Sequence, residues 1–598
     1  MQPITSTNDF VVKFANVNGS GSASANQLFA KSIIRMGVPV APRNIFPSNI
    51  QGLPTWYEVR VSGAGWLGAR AGVDLMVAMN PQTWTQDVAS ILPGGYLFYD
   101  SSKPMPKSKF RDDVTVIGVP LTEICNTTYT DPRQRQLFKN IIYVGALSAL
   151  LDIEIGVVEA LIGEQFKGKD RLIKPNYEAL HMGRDYVREN LRPLGLRVKR
   201  SDKVGDRIFI DGNTAAALGA VYGGATVCAW YPITPSTSLA EAFTGYCETY
   251  RTDPDTGKAR YAIVQAEDEI ASIGIVVGAG WNGARAFTST SGPGISLMNE
   301  LLGLAYYTEI PAVIVDVQRT GPSTGMPTRT QQADIMMCAY ASHGDTKHIV
   351  LFPANPYECF DFAVRSFDLA EQFQTPVFLL SDLDIGMNDW VVPELHWDDD
   401  YVWDRGPVLN DEDLSRMSEF FRYNATNDDF VASRTLPGSD EKGAYFIRGS
   451  GHDKYGRYTE NPPQYQEVVD RLKKKHAASA AHLPAPVIER RDGATIGVIT
   501  IGSCDLAVRE ALDQLADAGV PADFLRVRGF PFVEEVRAFV DEHELCFVVE
   551  QNRDAQLRSL IAIETGVSTE RMHPVLAYGG FPLSAQHVVE SVLAKLEH

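Results

Sequence analysis

Short runs of β-branched and aromatic residues recur along this chain, each followed by a turn of small or polar residues and then a helix-length segment. The first is Phe10 to Val17, followed by the turn Asn18-Gly19-Ser20-Gly21-Ser22-Ala23-Ser24 and a helix through Gln27 to Met36. The last stretch repeats the pattern, with ATIGVITIG as strand, DLAVREALDQLADAG as helix, and PADFLRVRGF and LCFVVEQN as further strands. Strands alternating with helices predict parallel α/β sheets throughout. An opening strand, glycine turn and helix form the start of a Rossmann-like layer.

The 598 residues allow roughly three to five domains. Turn-rich and Pro-rich stretches place the boundaries. They delimit a first region 1–195, a polar linker Val198 to Asp206, a second α/β region 207–392, an irregular segment and linker 393–489, and a last region 490–598. The irregular segment closes on a basic helix ending in Lys473-Lys474-Lys475, then AASAAHLPAP. The most apolar stretch, Ile141 to Ile162, carries Asp152, Glu154 and Glu159 and predicts one buried amphipathic helix rather than a membrane span. The formal net charge of −19 argues against nucleic acid or an anionic membrane as partner, since phosphate binding needs a dense basic surface. The opening MQPITSTNDF has no basic segment followed by an apolar one, so no secretory signal is expected. Seven cysteines never approach CxxC spacing, and the histidines form no HExxH. A cytoplasmic protein that holds no metal by itself is expected.

The turn at Gly19 and Gly21 could cradle a phosphate at a helix N-terminus. A dinucleotide fingerprint would place a glycine where Ser24 stands, however, and a tight structural turn explains the residues equally well. The second region carries more unusual loops. One reads Tyr231-Pro232-Ile233-Thr234-Pro235-Ser236-Thr237-Ser238. Its two prolines stiffen the backbone, and its hydroxyls meet the start of a helix, where Ser236 could serve as a cap. The next follows the strand Tyr261 to Gln265 and reads Ala266-Glu267-Asp268-Glu269. Acids in a first helical turn complement the macrodipole. Glu269, leading straight into the apolar helix IASIGIVVGAGW, is the one acid placed to be desolvated and so suited to proton exchange. The third loop follows Ala312 to Val317 and begins Gln318-Arg319-Thr320-Gly321-Pro322. Arg319 at the carboxyl end of a parallel strand sits where open α/β sheets bind ligands, and a guanidinium suits a carboxylate or phosphate. A surface ion pair would be its ordinary structural role. Between the last two loops, the Ser291-Gly292-Pro293-Gly294 turn predicts a close backbone approach.

Taken together, YPITPSTSLAE, AEDEIAS, TSTSGPGISLMNE and QRTGPSTGMPT resemble the alpha subunit of 2-oxoacid:ferredoxin oxidoreductases, with a gamma domain fused at the N-terminus. RTLPG, YFIRGSGHDKYG, VVEQN and YGGFPLSA extend the resemblance over nearly the whole chain. It implies a multidomain α/β fold. A Rossmann-like gamma domain (1–195) would precede a thiamine-diphosphate-binding-fold pyrimidine domain (207–392) and, beyond the connecting segment 393–489, a transketolase C-terminal-like domain (490–598). It implies oxidative decarboxylation of a 2-oxoacid with coenzyme A and reduction of ferredoxin, reversible as the CO2-fixing carboxylation of a reductive tricarboxylic acid cycle. By resemblance, Glu269 is the catalytic glutamate that hydrogen-bonds the aminopyrimidine of thiamine, and Tyr231, Pro232 and Ile233 line the cofactor. Thr234 orients the 2-oxoacid, Arg319 clamps its carboxylate, and Pro235 and Ser236 border the substrate. The RTGPSTGMPT loop is most similar to the 2-oxoglutarate members; pyruvate and branched-chain 2-oxoacids are the alternatives.

Thiamine enzymes hold the diphosphate and its magnesium through a GDG loop followed by Asn. Here Asp211-Gly212-Asn213 lacks the leading glycine, and cluster cysteines are missing. The resemblance therefore implies a separate beta subunit carrying the diphosphate site, Mg2+ and the iron–sulfur cluster, in a dimer of alpha–beta heterodimers. The competing readings are a transketolase-like or 2-oxoacid dehydrogenase component, a regulatory subunit without catalysis, and a nicotinamide oxidoreductase using the N-terminal turn.

Overall fold

The computed structural model describes residues 2–47 and 52–597. It divides into two compact units, one of Met1–Phe209 with Asn388–Pro393 and Ser584–Gln586, the other of Ile210–Met387, Glu394–Leu583 and His587–His598.

Among the described residues of the first unit is a six-stranded sheet. Its strands are β1 (Asp9–Val17), β2 (Val40–Ile45), β3 (Pro54–Ser62), β4 (Val73–Ala78), β5 (Ile91–Asp100) and β6 (Thr115–Val119). They lie in the order β2-β3-β1-β4-β5-β6. The half from β1 to β6 is parallel, as expected. The other half is not, because β3 runs antiparallel to both β1 and β2. The connection from Ile45 to Pro54 is too short for the helical crossover that parallel neighbours require. Helix α1 (Ser22–Arg35) starts earlier than predicted. Gly21, at φ 75°, turns the chain straight into it, so Ser22, Ala23 and Ser24 are helical.

The apolar stretch Ile141 to Ile162 also departs from expectation. It is two helices, α2 (Pro132–Leu150) and α3 (Ile155–Gln165), broken where Asp152 adopts φ 58°. The carbonyl of Leu151 there accepts from the Val198 amide at 2.8 Å, and a continuing helix would have claimed it. Among the described residues, no helix is long and apolar enough to cross a membrane.

The second unit holds two sheets among its described residues. Its first strands are β7 (Val227–Trp230), β8 (Ala262–Gln265), β9 (Ala286–Thr290), β10 (Ala312–Gln318), β11 (Ile349–Leu351) and β12 (Pro376–Asp382). Next come β13 (Val487–Glu489), β14 (Ile496–Thr500), β15 (Ala522–Arg526), β16 (Gly529–Phe530), β17 (Leu545–Glu550) and β18 (Met572–Leu576). The larger sheet has the order β8-β7-β9-β10-β12-β11-β16, parallel except for β16. The smaller has the order β13-β15-β14-β17-β18, parallel except for β13. Strands β9, β10 and β12 are buried along their whole length, as a sheet covered on both faces demands. Because β7 to β10 are parallel, their carboxyl ends deliver all three unusual loops to one edge. Four helices flank that edge: α4 (Gly212–Tyr222), α5 (Thr237–Tyr250), α6 (Glu269–Trp281) and α7 (Gly292–Thr308). The short helix α8 (Ile335–Ala339) follows the third loop.

The basic helix α9 (Pro462–Ala478) runs beyond Lys475 because that lysine is not a solvated end. Lys475 is 2 % exposed and donates to Glu309 Oε2 at 2.7 Å, while Arg471 grips both carboxylate oxygens and Arg422 donates to the Glu309 carbonyl at 2.7 Å. Burial raises the Glu309 carboxyl, but these cations outweigh it and hold the group well below the usual carboxylate range. Burial pulls Lys475 down to about 8 against the pull of Glu309. Since that value lies below an exposed lysine's, the folded chain releases this proton first. The cost of burying the charge is therefore present below about pH 8 and is relieved as pH rises towards the ordinary lysine range. The two partners are thus unequal. Glu309→Gln leaves three cations enclosed without a counter-charge and should destabilise the chain by about 3–5 kcal/mol. Lys475→Met leaves Glu309 paired with Arg471 and should be neutral or stabilising at pH 7. Denaturant unfolding of both variants checks this, and a reversed order would refute the assignment.

Candidate active site

The Pro-rich loop is fastened from below. Asp211 caps α4 through the Thr214 amide at 2.8 Å. The next turn carries Asn213, whose Nδ2 donates to the Pro235 carbonyl and to Ser238 Oγ, both at 2.8 Å. Ser236 is 1 % exposed and does not cap α5 with its side chain. Its Oγ instead donates to the Ile233 carbonyl at 3.2 Å, and Thr237 Oγ1 accepts from the Ile233 amide at 3.0 Å. The Ser236 hydroxyl is therefore engaged within the loop. Tyr231 and Pro232 lie on its exposed crest, Ile233 and Thr234 are half-buried, and Pro235 is buried.

The three acids of the second loop separate by environment. Glu267 is exposed, and Asp268 is the N-cap of α6, accepting from the Ala271 amide at 2.7 Å. Asp268 thus answers the helix dipole. Glu269, the first residue of the helix, turns inward and is 6 % exposed. The Ser-Gly-Pro-Gly turn explains how it fits. A Cβ on Gly294 would stand 2.8 Å from Glu269 Cγ and 1.9 Å from Thr290 Oγ1, and a Cβ on Gly292 would stand 2.7 Å from Asp334 Oδ2. The first turn of α7 is bare so that two carboxyl groups can lie against it.

Arg319 leaves the end of β10 and is 9 % exposed, so it is no surface ion pair. Its Nη1 donates to the Thr234 carbonyl at 2.7 Å, tying the third loop to the first. Its enclosed Nε has no partner among the described residues. Burial holds the guanidinium below its usual range, against the opposing pull of Asp334, Glu269 and Asp316. The structure therefore gathers Thr234, Arg319 and Glu269, while Tyr231 and Pro232 stay at the rim.

Three residues that the sequence reading did not single out belong to this centre. Asp316, fully enclosed in β10, and Asp334, just before α8, are in hydrogen-bonding contact, and burial raises both, Asp334 to about 7. The available signal was an acid inside the otherwise apolar AVIVDV, which a doubly covered strand tolerates only with a partner. Gln332 anchors the third loop. Its amide donates to the Gln551 carbonyl at 2.8 Å, and Asn552 Nδ2 donates to the Gln332 carbonyl at 3.0 Å. Its side chain reaches Asp382, Ile501, Ser503, Cys504 and the Gln551 amide. Burial, with Asp384 nearby, pushes the Asp382 carboxyl up to about 6.

A parallel sheet that presents an inward carboxylate, a guanidinium and a hydroxyl-rich loop at its carboxyl edge has the groups to receive a small anionic ligand. Comparison with known proteins narrows the class. Residues 218–403 match the family model "Pyruvate flavodoxin/ferredoxin oxidoreductase, thiamine diP-bdg", and residues 11–186 match "Pyruvate ferredoxin/flavodoxin oxidoreductase". The alpha subunit of 2-oxoacid:ferredoxin oxidoreductase 2 from Aeropyrum pernix is 31 % identical over 97 % of this chain and 96 % of its own length. The 2-oxoglutarate synthase subunit KorA of Methanothermobacter thermautotrophicus is 36 % identical over 62 % of this chain and 94 % of its own. A solved 2-oxoglutarate:ferredoxin oxidoreductase from Magnetococcus marinus, with 2-oxoglutarate, coenzyme A and succinyl-CoA bound, superposes with a TM-score of 0.88 at 28 % identity, covering 98 % of this chain and all of that one. The chain belongs to the alpha subunits of the 2-oxoacid:ferredoxin oxidoreductases. It is an oxidoreductase subunit with the multidomain α/β fold the sequence led us to expect.

The bare first turn of α7 gives a direct test. Gly294→Ala should cost about 1–3 kcal/mol of overpacking and shift the Glu269 side chain. Adding Thr290→Ala should recover part of the stability by removing the nearest obstruction. Thermal unfolding and a crystal structure of each variant check this, and a Gly294→Ala protein of unchanged stability and geometry would contradict it.

Proposed function

We propose that this chain, with a beta subunit, converts 2-oxoglutarate and coenzyme A to succinyl-CoA and CO2 with reduction of ferredoxin, and that the reaction runs reversibly. The observation that carries the reading is the Arg319 guanidinium, tethered to the Thr234 carbonyl and keeping an unpartnered Nε within reach of the loops that also hold Glu269. A cation enclosed in this way, with hydrogen-bonding capacity in reserve, suits a carboxylate substrate. Support for 2-oxoglutarate comes from the KorA relatives and from the ligands of the Magnetococcus marinus enzyme.

The residues present fit thiamine diphosphate at one end. Glu269 is a buried carboxylate beside a glycine-lined first turn, a place for the aminopyrimidine, and we assign Tyr231, Pro232 and Ile233 to its border. When bound, the cofactor supplies the carbon nucleophile and the electron sink that decarboxylation requires. The chain's own groups then have distinct tasks. Glu269 holds a proton at the aminopyrimidine nitrogen, Arg319 fixes the substrate carboxylate, Thr234 orients the oxo group, and Pro235 with Ser236 keeps the loop in shape. At the other end the fit stops. Asp211 is engaged as a helix cap and Asn213 as a loop anchor, so neither serves a diphosphate. We therefore assign the diphosphate, Mg2+ and iron–sulfur sites to the beta subunit, in a dimer of alpha–beta heterodimers. The seven free, buried cysteines fit a reducing cytoplasm. We further propose the expected division into 1–195, 207–392, 393–489 and 490–598 as the functional domains.

The test is anaerobic, coenzyme A-dependent reduction of a viologen dye by the alpha–beta complex with 2-oxoglutarate, pyruvate and 2-oxoisovalerate in parallel. 2-Oxoglutarate should be preferred. Arg319→Ala should raise the KM for the 2-oxoacid about ten- to a hundredfold, the worth of a charged hydrogen bond. Glu269→Gln should abolish turnover without loss of assembly. Preference for another 2-oxoacid would refute the substrate assignment, and full affinity in Arg319→Ala would refute the clamp.

A further inference from the structure

The tripeptide Asp211-Gly212-Asn213 opens α4 and has no role in the chemistry above, yet its surroundings are closely fitted. A Cβ on Gly212 would stand 2.7 Å from the Ile385 carbonyl oxygen, so α4 starts directly against the helical turn Leu383–Met387 that follows β12. One residue on, Asn213 is 1 % exposed. A Cβ on Gly386 would stand 2.8 Å from both Asn213 Oδ1 and Val317 Cγ1, and Val317 lies on β10 just before Gln318 and Arg319. Two bare positions thus leave a slot for the Asn213 amide beside the strand that carries Arg319.

From that slot the amide points at the Pro-rich loop. Its nitrogen carries two N–H bonds, and both are used there, on the Pro235 carbonyl and on Ser238 Oγ at 2.8 Å each. Pro235 has no N–H, so its carbonyl is the one backbone group by which that residue is held. Other bonds in the loop are local. The Ser236 hydroxyl and the Ser236 and Thr237 amides all close on the Ile233 carbonyl. Bonds of this kind fix the shape of the loop but not its place. Two side chains outside the loop supply the place, Arg319 on the Thr234 carbonyl at 2.7 Å and Asn213 on the next carbonyl along. A long arginine side chain keeps rotamer freedom that a short, buried asparagine does not. Of the two tethers, Asn213 is the fixed one.

We infer that Asn213 is a positioning residue for the 2-oxoacid site: it holds the Pro235 carbonyl and thereby sets where Thr234 stands relative to Arg319. This rests on the reading of Thr234 and Arg319 as the groups that receive the 2-oxoacid. The tripeptide that lacks the leading glycine of a diphosphate loop therefore serves the substrate end of the site.

The experiment is kcat/KM for 2-oxoglutarate at saturating coenzyme A, measured on the alpha–beta holoenzyme. Asn213→Asp keeps the shape of the side chain but offers the Pro235 carbonyl no N–H. It should lower kcat/KM about ten- to a hundredfold, the scale of a reacting group misplaced by about 1 Å. Gly386→Ala leaves the Asn213 amide chemically intact but crowds it out of its slot, and should lower kcat/KM in the same direction. It carries the test if Asn213→Asp does not assemble. A double-mutant cycle with Thr234→Ala distinguishes positioning from a merely structural role. If Asn213 acts through Thr234, adding Asn213→Asp to Thr234→Ala should cost no more than about twofold; if it only packs the fold, the loss is the same in both backgrounds. Wild-type kcat/KM in either variant, or the full loss retained on Thr234→Ala, overturns the inference. Thr234→Ala by itself separates the two readings. If it leaves kcat/KM unchanged, the site reading is wrong; if it lowers kcat/KM while Asn213→Asp stays at the wild-type value, only the role of Asn213 fails.

Discussion

One guanidinium faces three carboxyl groups at the edge of the large sheet, and the rest of the site follows from that imbalance. Arg319 cannot neutralise Glu269, Asp316 and Asp334 together, and burial lifts the Asp316 and Asp334 carboxyls above the usual carboxylate range. The guanidinium bonds instead to a backbone carbonyl, that of Thr234, and its enclosed Nε has no partner among the described residues. The backbone serves this arrangement. Two glycines in the first turn of α7 leave room for two of the acids, and the Thr234 carbonyl holds the cation from the other side.

The second unit contains an instructive opposite. Around Glu309 three cations enclose one carboxylate, and Arg471 and Lys475 both bond to it directly. That network is anchored in helices and in segments whose sequence lacks regular structure, and it packs α9 against the end of α7. Excess positive charge around a fixed anion locks a junction. At the sheet edge the excess is negative, and the one cation is tethered to a backbone carbonyl. The two clusters carry opposite ratios of charge.

Much of the architecture was legible in the chain because strand and helix patterns are local. The strands Phe10 to Val17 and Pro376 to Asp382 and the helix opened by Glu269 lie where the sequence puts them. The failures were tertiary. Nothing local announces that β3 runs against both its neighbours, or that Asp152 breaks an apolar helix whose end carbonyl is claimed by Val198. At the site, Glu269 could be told from Glu267 and Asp268 because the helix behind it is apolar on most sides. Ser236 read as a helix cap, whereas its hydroxyl closes the loop on Ile233, a choice set by backbone geometry that no residue type encodes. Asp334 was invisible for a different reason. Its partner, Asp316, lies on another element, and only the fold brings the two acids together.

Gln332 joins the third loop to the C-terminal sheet region through its own amide and carbonyl, which bond to the Gln551 carbonyl and the Asn552 side chain, and by a side chain that reaches several groups at once. Gly502, at φ 54°, is held open for it, since a Cβ there would stand 2.7 Å from Gln332 Nε2. A region attached through an exposed linker can be exchanged between relatives as a module, but one stitched in this way cannot. Residues 332, 502, 503 and 551 have to drift together. By the measure of inheritance, then, the C-terminal region is part of the third loop's own scaffold, although the linker before it looks like a seam.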